Sequence, residues 1–185
     1  PEAHGSLREA SRFKREPLER TMNIFINGAN GRIGSIDFGK ILRFTDPKDI
    51  QVVAVNGTTP EKFVEALYTD SVHGATLRPG DTVRTGYDKD MDIFKTVDPK
   101  VGNYVEIKLK EWDRYHRVYT FNVRRVTKEL PIKRLRAINN ALNIDIAIDA
   151  TGQFKEKSML KSYTKAGMKK VVFTAPTKDK KDPSN

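Results

Sequence analysis

The residues best suited to chemistry form a glycine-rich stretch from Asn27 to Gly34 with the sequence NGANGRIG. A short apolar run, Met22–Ile26, precedes the stretch, and a predicted helix, Arg32–Phe44, follows it. A strand, a glycine turn and a helix in this order present backbone N–H groups to the pyrophosphate of a dinucleotide. The stretch therefore predicts an anion-binding turn, and further segments are needed to support it because a lone glycine fingerprint is a weak signal.

Cysteine is absent from the 185 residues, and the three histidines are His4, His73 and His116. We therefore expect no thiolate nucleophile, no disulfide and no cysteine-based metal site, and the histidines are too scattered to predict a zinc site. No apolar run approaches the length of a transmembrane helix. The lack of cysteine fits two compartments, and the expected location is the mitochondrial matrix or the cytoplasm.

Charge is distributed unevenly along the chain. Residues 1–104 contain 15 Lys+Arg and 15 Asp+Glu, whereas residues 105–185 contain 19 and 9, so the net charge of +10 lies in the second part. This asymmetry predicts RNA or an acidic protein surface as a partner, and a solvated basic surface explains it equally well. The predicted contacts with an anionic partner are four basic pairs: Arg124 and Arg125, Lys133 and Arg134, Lys169 and Lys170, Lys180 and Lys181.

Strand and helix patterns alternate around the glycine turn. Apolar, β-branched runs predict strands at Asn23–Asn27, Gln51–Val55, Ile144–Ile148 and Lys170–Thr174. Helical spacing predicts helices at Arg32–Phe44, Thr59–Tyr68, Ile132–Leu142 and Lys155–Ala166. Two partly alternating segments, Val101–Leu109 and Arg117–Val126, predict a hairpin or edge strands. The alternation predicts an α/β fold, a Rossmann-type doubly wound and mostly parallel sheet with a divergent β-rich insertion.

Apolar positions also predict which side chains of the helices lie together. Ile33, Ile36 and Ile41 are expected near one face of the first helix. In the last predicted helix, Met159, Leu160 and Tyr163 form the expected inner face.

The sequence predicts three regions: a polar arm over residues 1–21, a Rossmann-like dinucleotide-binding domain over residues 22–176, and a charged tail over residues 177–185. The arm lacks the apolar core of a secretory signal and is richer in acidic residues than a mitochondrial transit peptide. Because the chain starts at Pro1 rather than Met, we consider two origins of the arm: it remains after removal of a preceding piece, or it is foreign to the natural protein. The arm is expected to lie along a partner or to stay mobile.

Several segments, in the same order along the chain, resemble the glyceraldehyde-3-phosphate dehydrogenase family. They are Asn27-Gly28 with Gly31–Gly34, Val52–Asn56, the DSVHG segment Asp70–Gly74, Ala150–Gly152 with Phe154, and parts of Ala166–Asp179. The resemblance spans roughly Met22 to Asp179 and has a divergent middle. The DSVHG segment and the late stretch are its specific parts.

The resemblance implies NAD or NADP as a cofactor and assigns contacts to nine matched positions: Asn27, Gly28, Gly31, Arg32, Ile33, Gly34, Asn56, Thr151 and Gly152. Gly31 and Gly34 would let the backbone approach the pyrophosphate, at the start of the helix that faces it. Thr151 and Gly152 would lie beside the cofactor at the end of a central strand. The alternative is that the glycines only make a tight turn between strand and helix.

Three departures from the family pattern bear on this assignment. NGANGRIG is one residue longer than the family's NGFGRIG, which gives a GxxGxxG spacing. The family normally has an acidic residue after Asn56, where its carboxylate accepts the ribose hydroxyls, but this chain has Gly57. Loss of this carboxylate predicts weaker discrimination in favour of NAD and admits a 2′-phosphate. Asn56 is then the remaining candidate to bond the ribose. Residues 111–117 are interpreted as added contact surface or as an ordinary hairpin with a half-buried Trp112.

The resemblance implies that the family's nucleophilic cysteine and base histidine would follow this domain, so we assign no catalytic residue here. His73 matches a family position and is interpreted as structural. The favoured hypothesis is a non-catalytic accessory subunit of a larger assembly, with or without retained NAD(P) binding, that docks onto RNA or a large complex through its basic second part. The alternatives are the cofactor-binding portion of a complete NAD(P)-dependent dehydrogenase, which would form a homo-oligomer, and a dinucleotide-sensing regulatory module.

Overall fold

The computed structural model describes residues 20–69, 74–91, 102–124, 131–153 and 157–174. Almost all of the predicted arm and the whole predicted tail lie outside these ranges. Over the described ranges, no helix is long and apolar enough to cross a membrane. The same part of the chain contains no group of three or more His, Cys, Asp or Glu residues that could hold a metal ion.

A single sheet is built from the seven strands that the described residues contain. They are β1 Met22–Asn27, β2 Ile50–Asn56, β3 Thr82–Tyr87, β4 Asn103–Lys108, β5 His116–Phe121, β6 Ile146–Asp149 and β7 Lys170–Phe173. The α-helices of the same residues are α1 Arg32–Phe44, α2 Pro60–Tyr68, α3 Ile132–Leu142 and α4 Lys157–Lys165, and a short 3-10 helix covers Lys89–Met91.

The strand order is β3-β4-β5-β2-β1-β6-β7. The strands from β5 through β2, β1 and β6 to β7 pair in parallel, whereas β3, β4 and β5 pair antiparallel. The predicted Rossmann-type α/β fold is confirmed, and the antiparallel extension is the predicted β-rich insertion. The chain builds outward from β1 to β2 and later crosses back to β6, so the switch in direction falls between β1 and β6.

Helices cover both faces of the sheet, and the sheet separates the core into two layers. In one layer Phe38 of α1 and Phe63 of α2 pack edge to face, with ring centroids 5.0 Å apart. In the other layer Leu135 and Ile138 of α3 pack with Tyr163 of α4, and all three are fully buried. Burial on both faces explains why β1 and β2 are continuous apolar runs.

Besides shifts at the ends of several elements, two features of the elements differ from the sequence predictions. Strand β3 was not predicted, because it is an edge strand with the polar sequence TVRTGY and has no buried residue. The expected grouping of Ile33 with Ile36 and Ile41 is wrong for burial, since Ile33 is 45% exposed. Helix α1 instead buries Gly34, Phe38 and Leu42, a stripe with a four-residue spacing whose first member has no side chain.

The turn between β1 and α1 depends on close backbone approach. Gly28 has a φ of +84°, and a Cβ atom there would lie 3.0 Å from the carbonyl carbon of Ala150. A Cβ atom on Gly34 would lie only 2.2 Å from the carbonyl oxygen of Gly28. Glycine at these two positions therefore allows α1 to start directly against the end of β1.

Asp145 holds the opposite, amino edge of the sheet together. Its carboxylate accepts hydrogen bonds from the backbone N–H of Asn23 at 2.9 Å and from Lys169 Nζ at 3.0 Å, and it pairs with Arg20. Burial would raise the pKa of Asp145, but these donors lower it to about 2. The starts of β1, β6 and β7 are thereby tied to one ionised carboxylate.

The close approach at Gly34 predicts a large loss of stability for Gly34→Ala. The added methyl group would collide with backbone rather than with a movable side chain, and we expect the free energy of unfolding to fall by about 2–3 kcal/mol. Urea unfolding followed by circular dichroism measures the difference.

Gly39→Ala, in the same helix, is the matched control. Its Cβ atom would meet only the side chain of Thr76, at 2.8 Å from Oγ1, and alanine raises helix propensity by about 0.5–1 kcal/mol. An unfolding free energy as high for Gly34→Ala as for Gly39→Ala would contradict the close approach.

Candidate functional site

A cleft of about 510 Å³ lies at the carboxyl ends of the central strands, and we call it the carboxyl-edge cleft. It is lined by residues of the β1–α1 turn, the end of β2, the segment after β5 and the segment after β6. Five of the predicted cofactor contacts line it: Asn27, Gly28, Gly31, Asn56 and Thr151. Since the cleft opens where the chain switches direction between β1 and β6, it lies where doubly wound sheets bind ligands.

Helix α1 begins at this cleft with an uncapped amino end. Gly31 is the N-cap residue, with φ −71° and ψ 164°, and no side chain accepts a hydrogen bond from the first turn. Arg32 and Ile33, which begin the helix, are exposed. The first N–H groups of α1 are therefore presented, with the positive end of the helix dipole, beside the cleft.

The two later glycines of the fingerprint serve different purposes. Gly31 is exposed and lines the cleft, where its lack of a side chain leaves the helix end open. Gly34 is buried, and its missing side chain makes room for the carbonyl of Gly28. We therefore assign the approach to a ligand to Gly31 and the packing of helix on turn to Gly34.

The carboxamides of Asn27 and Asn56 form a buried pair beneath the cleft. Asn56 donates to Asn27 Oδ1 and to the carbonyl of Val123, both at 2.9 Å, and its Oδ1 accepts from the N–H of Val123 at 2.8 Å. Both amide hydrogens of Asn56 are thus used. The side chain of Asn56 thereby joins β2 to the segment after β5 and has no amide hydrogen left for a ribose, and the contact of Asn56 with a ribose stays a prediction.

This hydrogen-bonded chain continues from β1 to β6. Asn27 donates to the hydroxyl of Tyr163 at 2.9 Å, and Tyr163 in turn donates to Asp149 Oδ2. The other oxygen of Asp149 accepts from Thr151 N at 3.0 Å and from Thr151 Oγ1 at 2.7 Å. Burial, reinforced by the Asp149 carboxylate, raises the pKa of Tyr163 well above its ordinary value. The phenol therefore stays protonated, and its O–H donates the hydrogen bond to Asp149.

Sequence reasoning missed Asp149 and the hydroxyl of Tyr163, which was predicted only as an apolar inner position. The available signal was an acidic residue at the end of an apolar strand, directly before Ala150 and Thr151. The complete chain of hydrogen bonds runs through six residues: Thr151, Asp149, Tyr163, Asn27, Asn56 and Val123. It links the ends of β1, β2 and β6 with the segment after β5 under the cleft and fixes their spacing.

The acidic position expected after Asn56 is occupied by Gly57, which lines the cleft and has a φ of +83°. An L side chain would be strained in this conformation. Among the described residues that line the cleft there is no Asp or Glu, and Arg124 is the one charged side chain.

Those predicted basic contacts that the structure describes lie at both edges of the sheet. Arg124 lies in the carboxyl-edge cleft, and Lys133 and Arg134 lie in the first turn of α3, which starts on the same side of the sheet. Lys169 and Lys170 lie at the amino edge, where Lys169 is paired with Asp145. Arg125, Lys180 and Lys181 fall outside the described residues.

Other sequence features fall away from the cleft or outside the described residues. His116 is partly buried and its Nε2 lies 2.8 Å from the carbonyl of Val52, while burial lowers its pKa. Trp112 is half-buried against the core layer of α1 and α2, which favours the ordinary hairpin over an added contact surface. Phe154 lies outside the described residues, and so does His73 of the DSVHG segment.

The strand order and the position of the cleft at the carboxyl ends of the strands together define a Rossmann-like α/β domain. No protein-family model matches the chain. It is similar to glyceraldehyde-3-phosphate dehydrogenase 2 of Staphylococcus aureus, with 32% identity over 158 residues that cover 84% of this chain and 36% of that protein.

Two further relatives show a similar degree of identity. Glyceraldehyde-3-phosphate dehydrogenase 2 of Bacillus subtilis is 29% identical over 159 residues, covering 85% of this chain and 36% of the relative. Glyceraldehyde-3-phosphate dehydrogenase 1 of Saccharomyces cerevisiae is 30% identical over 100 residues, covering 48% of this chain and 30% of the relative. The chain therefore spans about a third of the length of the relatives it matches. The similarity supports the predicted resemblance and concerns the N-terminal half of these enzymes.

Removal of the Tyr163 hydroxyl is predicted to destabilise the sheet edge beneath the cleft. Tyr163→Phe leaves Asp149 Oδ2 and the amide of Asn27 without their buried partner, and we expect the free energy of unfolding to fall by about 1–3 kcal/mol. Tyr68→Phe is the control, since Tyr68 is 54% exposed, with an expected change below about 0.5 kcal/mol. Equal urea midpoints for the two variants would show that the hydrogen bonds of Tyr163 contribute nothing to the free energy of unfolding.

Proposed function

We propose that this domain binds a nicotinamide adenine dinucleotide, NAD or NADP, in the carboxyl-edge cleft. The observation that carries the proposal is the uncapped amino end of α1 at Gly31, which lines the cleft between the ends of β1 and β6. Such a helix end stabilises a pyrophosphate through its free N–H groups and its partial positive charge.

The remaining parts of the cleft support the same ligand. A cleft of about 510 Å³ is of the size that small-molecule sites commonly have. Thr151 and Gly152 follow β6, where the resemblance to the dehydrogenase family implies a position beside the cofactor. Thr151 Oγ1 donates to Asp149 and accepts from the N–H of Gln153 at 3.2 Å, so this segment is held in place before any ligand binds.

Gly31→Asp is predicted to weaken dinucleotide binding while preserving the fold. Aspartate is a favourable N-cap residue, and the φ of −71° suits an L side chain. Its carboxylate would occupy the free N–H groups and repel the pyrophosphate, so the affinity for NAD⁺ and NADP⁺ should fall by about tenfold or more. Isothermal titration calorimetry measures both affinities.

Gly31→Asn separates charge from volume in this test. The added Cβ atom is the same in both variants and lies 3.2 Å from the carbonyl oxygen of Gly28, but asparagine carries no charge. We expect a smaller loss for asparagine than for aspartate. Unchanged affinity in Gly31→Asp would exclude the α1 end as the pyrophosphate site.

We propose as a second role that the chain acts as an accessory, non-catalytic component of a larger assembly in the mitochondrial matrix or the cytoplasm. The support is the net charge of +10 in residues 105–185, together with the exposure of Lys133, Arg136 and Lys170. This role predicts that the endogenous chain sediments in a particle much larger than itself, and that ribonuclease or high salt releases it. A small homo-oligomer with a longer, cysteine-containing chain would instead support the cofactor-binding portion of a complete dehydrogenase.

A further inference from the structure

We propose that the carboxyl-edge cleft selects dinucleotides that carry a phosphate on the 2′-oxygen of the adenosine ribose, and that Arg124 is the residue that selects them. The inference rests on the proposed function, because it requires a dinucleotide in the cleft. It assigns to Arg124 a ligand other than the RNA or acidic protein surface expected from the charge pattern.

The ribose end of the cleft has no carboxylate. In Rossmann folds an acidic side chain at the end of the second strand accepts the ribose hydroxyls and repels a 2′-phosphate. Gly57 occupies that position here, and its φ of +83° disfavours an L side chain. Asp149, beneath the cleft, uses both of its carboxylate oxygens on Tyr163 and Thr151. Within the described lining, nothing is present to repel a phosphate dianion.

The segment that carries Arg124 is fixed beside Gly57. Strand β5 pairs in parallel with β2, so the two strands end at the same edge of the sheet. The N–H of Gly57 donates to the carbonyl of Phe121 at 2.9 Å, and the N–H of Val123 donates to Asn56 Oδ1. The backbone leading to Arg124 is therefore held against the end of β2, where the ribose is expected.

The guanidinium of Arg124 is available to a ligand. Arg124 is exposed, lines the cleft, and pairs with no carboxylate of the described part of the chain. A guanidinium offers a planar set of donors that matches two oxygens of a phosphate, which makes arginine well suited to this recognition. A nearby arginine is also the feature by which Rossmann sites accommodate a 2′-phosphate.

Glu61 is the acidic residue that competes with Arg124 for the ribose end of the cleft in the alternative arrangement. It lies in the first turn of α2 and lines an adjoining cavity of about 160 Å³ that shares Asn122 with the carboxyl-edge cleft. If the carboxylate of Glu61 reached the ribose hydroxyls, the cleft would prefer the unphosphorylated ribose. The choice between Arg124 and Glu61 is therefore a choice between NADP and NAD.

Isothermal titration calorimetry of the purified chain with NADP⁺ and with NAD⁺ at one salt concentration tests the inference. We expect NADP⁺ to bind about tenfold more tightly, since hydrogen bonds to charged groups contribute at this level. Arg124→Gln should remove the preference by weakening NADP⁺ about tenfold while changing NAD⁺ less than about twofold. Adenosine 2′,5′-bisphosphate and AMP, titrated in parallel, should show the same difference without the nicotinamide half.

Two variants serve as controls. Lys161→Gln removes an exposed charge of α4 that does not line the cleft, and both affinities should stay at the wild-type values. Glu61→Gln should leave the preference for NADP⁺ in place. Circular dichroism melts compare the folding of all variants with the wild type.

The outcomes separate this inference from the proposed function. Equal affinity of the wild type for the two dinucleotides, or equal weakening of both by Arg124→Gln, would overturn the selection by Arg124 and leave dinucleotide binding intact. If Glu61→Gln lost NAD⁺ affinity and the other variants kept it, Glu61 would hold the ribose hydroxyls. That result would also overturn the selection by Arg124. If neither dinucleotide binds, the proposed function fails and the inference fails with it.

Discussion

Backbone segments meet at the end of β1 more closely than side chains would allow, and the geometry of the cleft depends on this contact. Gly28 lies against Ala150, and Gly34 lies against the carbonyl of Gly28. The N–H of Gly28 donates to Asn56 O at 3.0 Å, and the carbonyl of Asn27 accepts from Ala150 N at 2.9 Å. The amino end of α1 is thereby fixed relative to the ends of β1, β2 and β6. Any displacement of α1 would move its free N–H groups away from the cleft.

Polar groups beneath this contact keep the cleft in shape. Buried amide, phenol and carboxylate groups are costly unless every one is paired, and no buried side-chain nitrogen or oxygen atom in the described residues lacks a partner. Tyr163 is the central member, since it both accepts from Asn27 and donates to Asp149. A site whose supporting groups are already paired binds its ligand without a large ordering cost.

Residues that carry the expected ligand contacts are separate from those that carry stability. Gly31, Gly57 and Arg124 are exposed and line the cleft, so none of them contributes a side chain to the core. Asn27 and Asn56 also line the cleft but are 4% and 2% exposed, and their side chains serve the sheet. Proximity to the cleft alone therefore does not identify the residues that would contact a dinucleotide.

Periodicity predicted most of the fold, because the elements buried on both sides carry strong apolar patterns. Helices α1 and α3 have the predicted bounds, and the ends of β2 and α2 differ from prediction by one residue at most. Edge strand β3 escaped prediction, since an exposed strand needs no apolar alternation. The buried face of α1 was misjudged because Gly34 contributes no hydrophobic signal although it marks the closest packing.

Long-range features of the site were beyond the reach of the sequence. Arg124 was identified only as a cation, because its place in the cleft depends on the parallel pairing of β5 with β2. The bond between Tyr163 and Asp149 joins a helix to a strand, and neither spacing nor composition predicts it. By contrast, Gly31 was identified from local sequence, since the strand, turn and helix that surround it are contiguous.

Binding of a dinucleotide at the amino end of α1 is tested most directly by nuclear magnetic resonance of the isotope-labelled chain during a titration with NADP⁺. The backbone amide signals of Gly31, Arg32 and Ile33 should shift and saturate together with that of Thr151. The signals of Lys169 and Lys170, at the amino edge, should stay unchanged. Saturable shifts confined to the amino edge, or an absence of shifts in the first turn of α1, would contradict dinucleotide binding at this helix end.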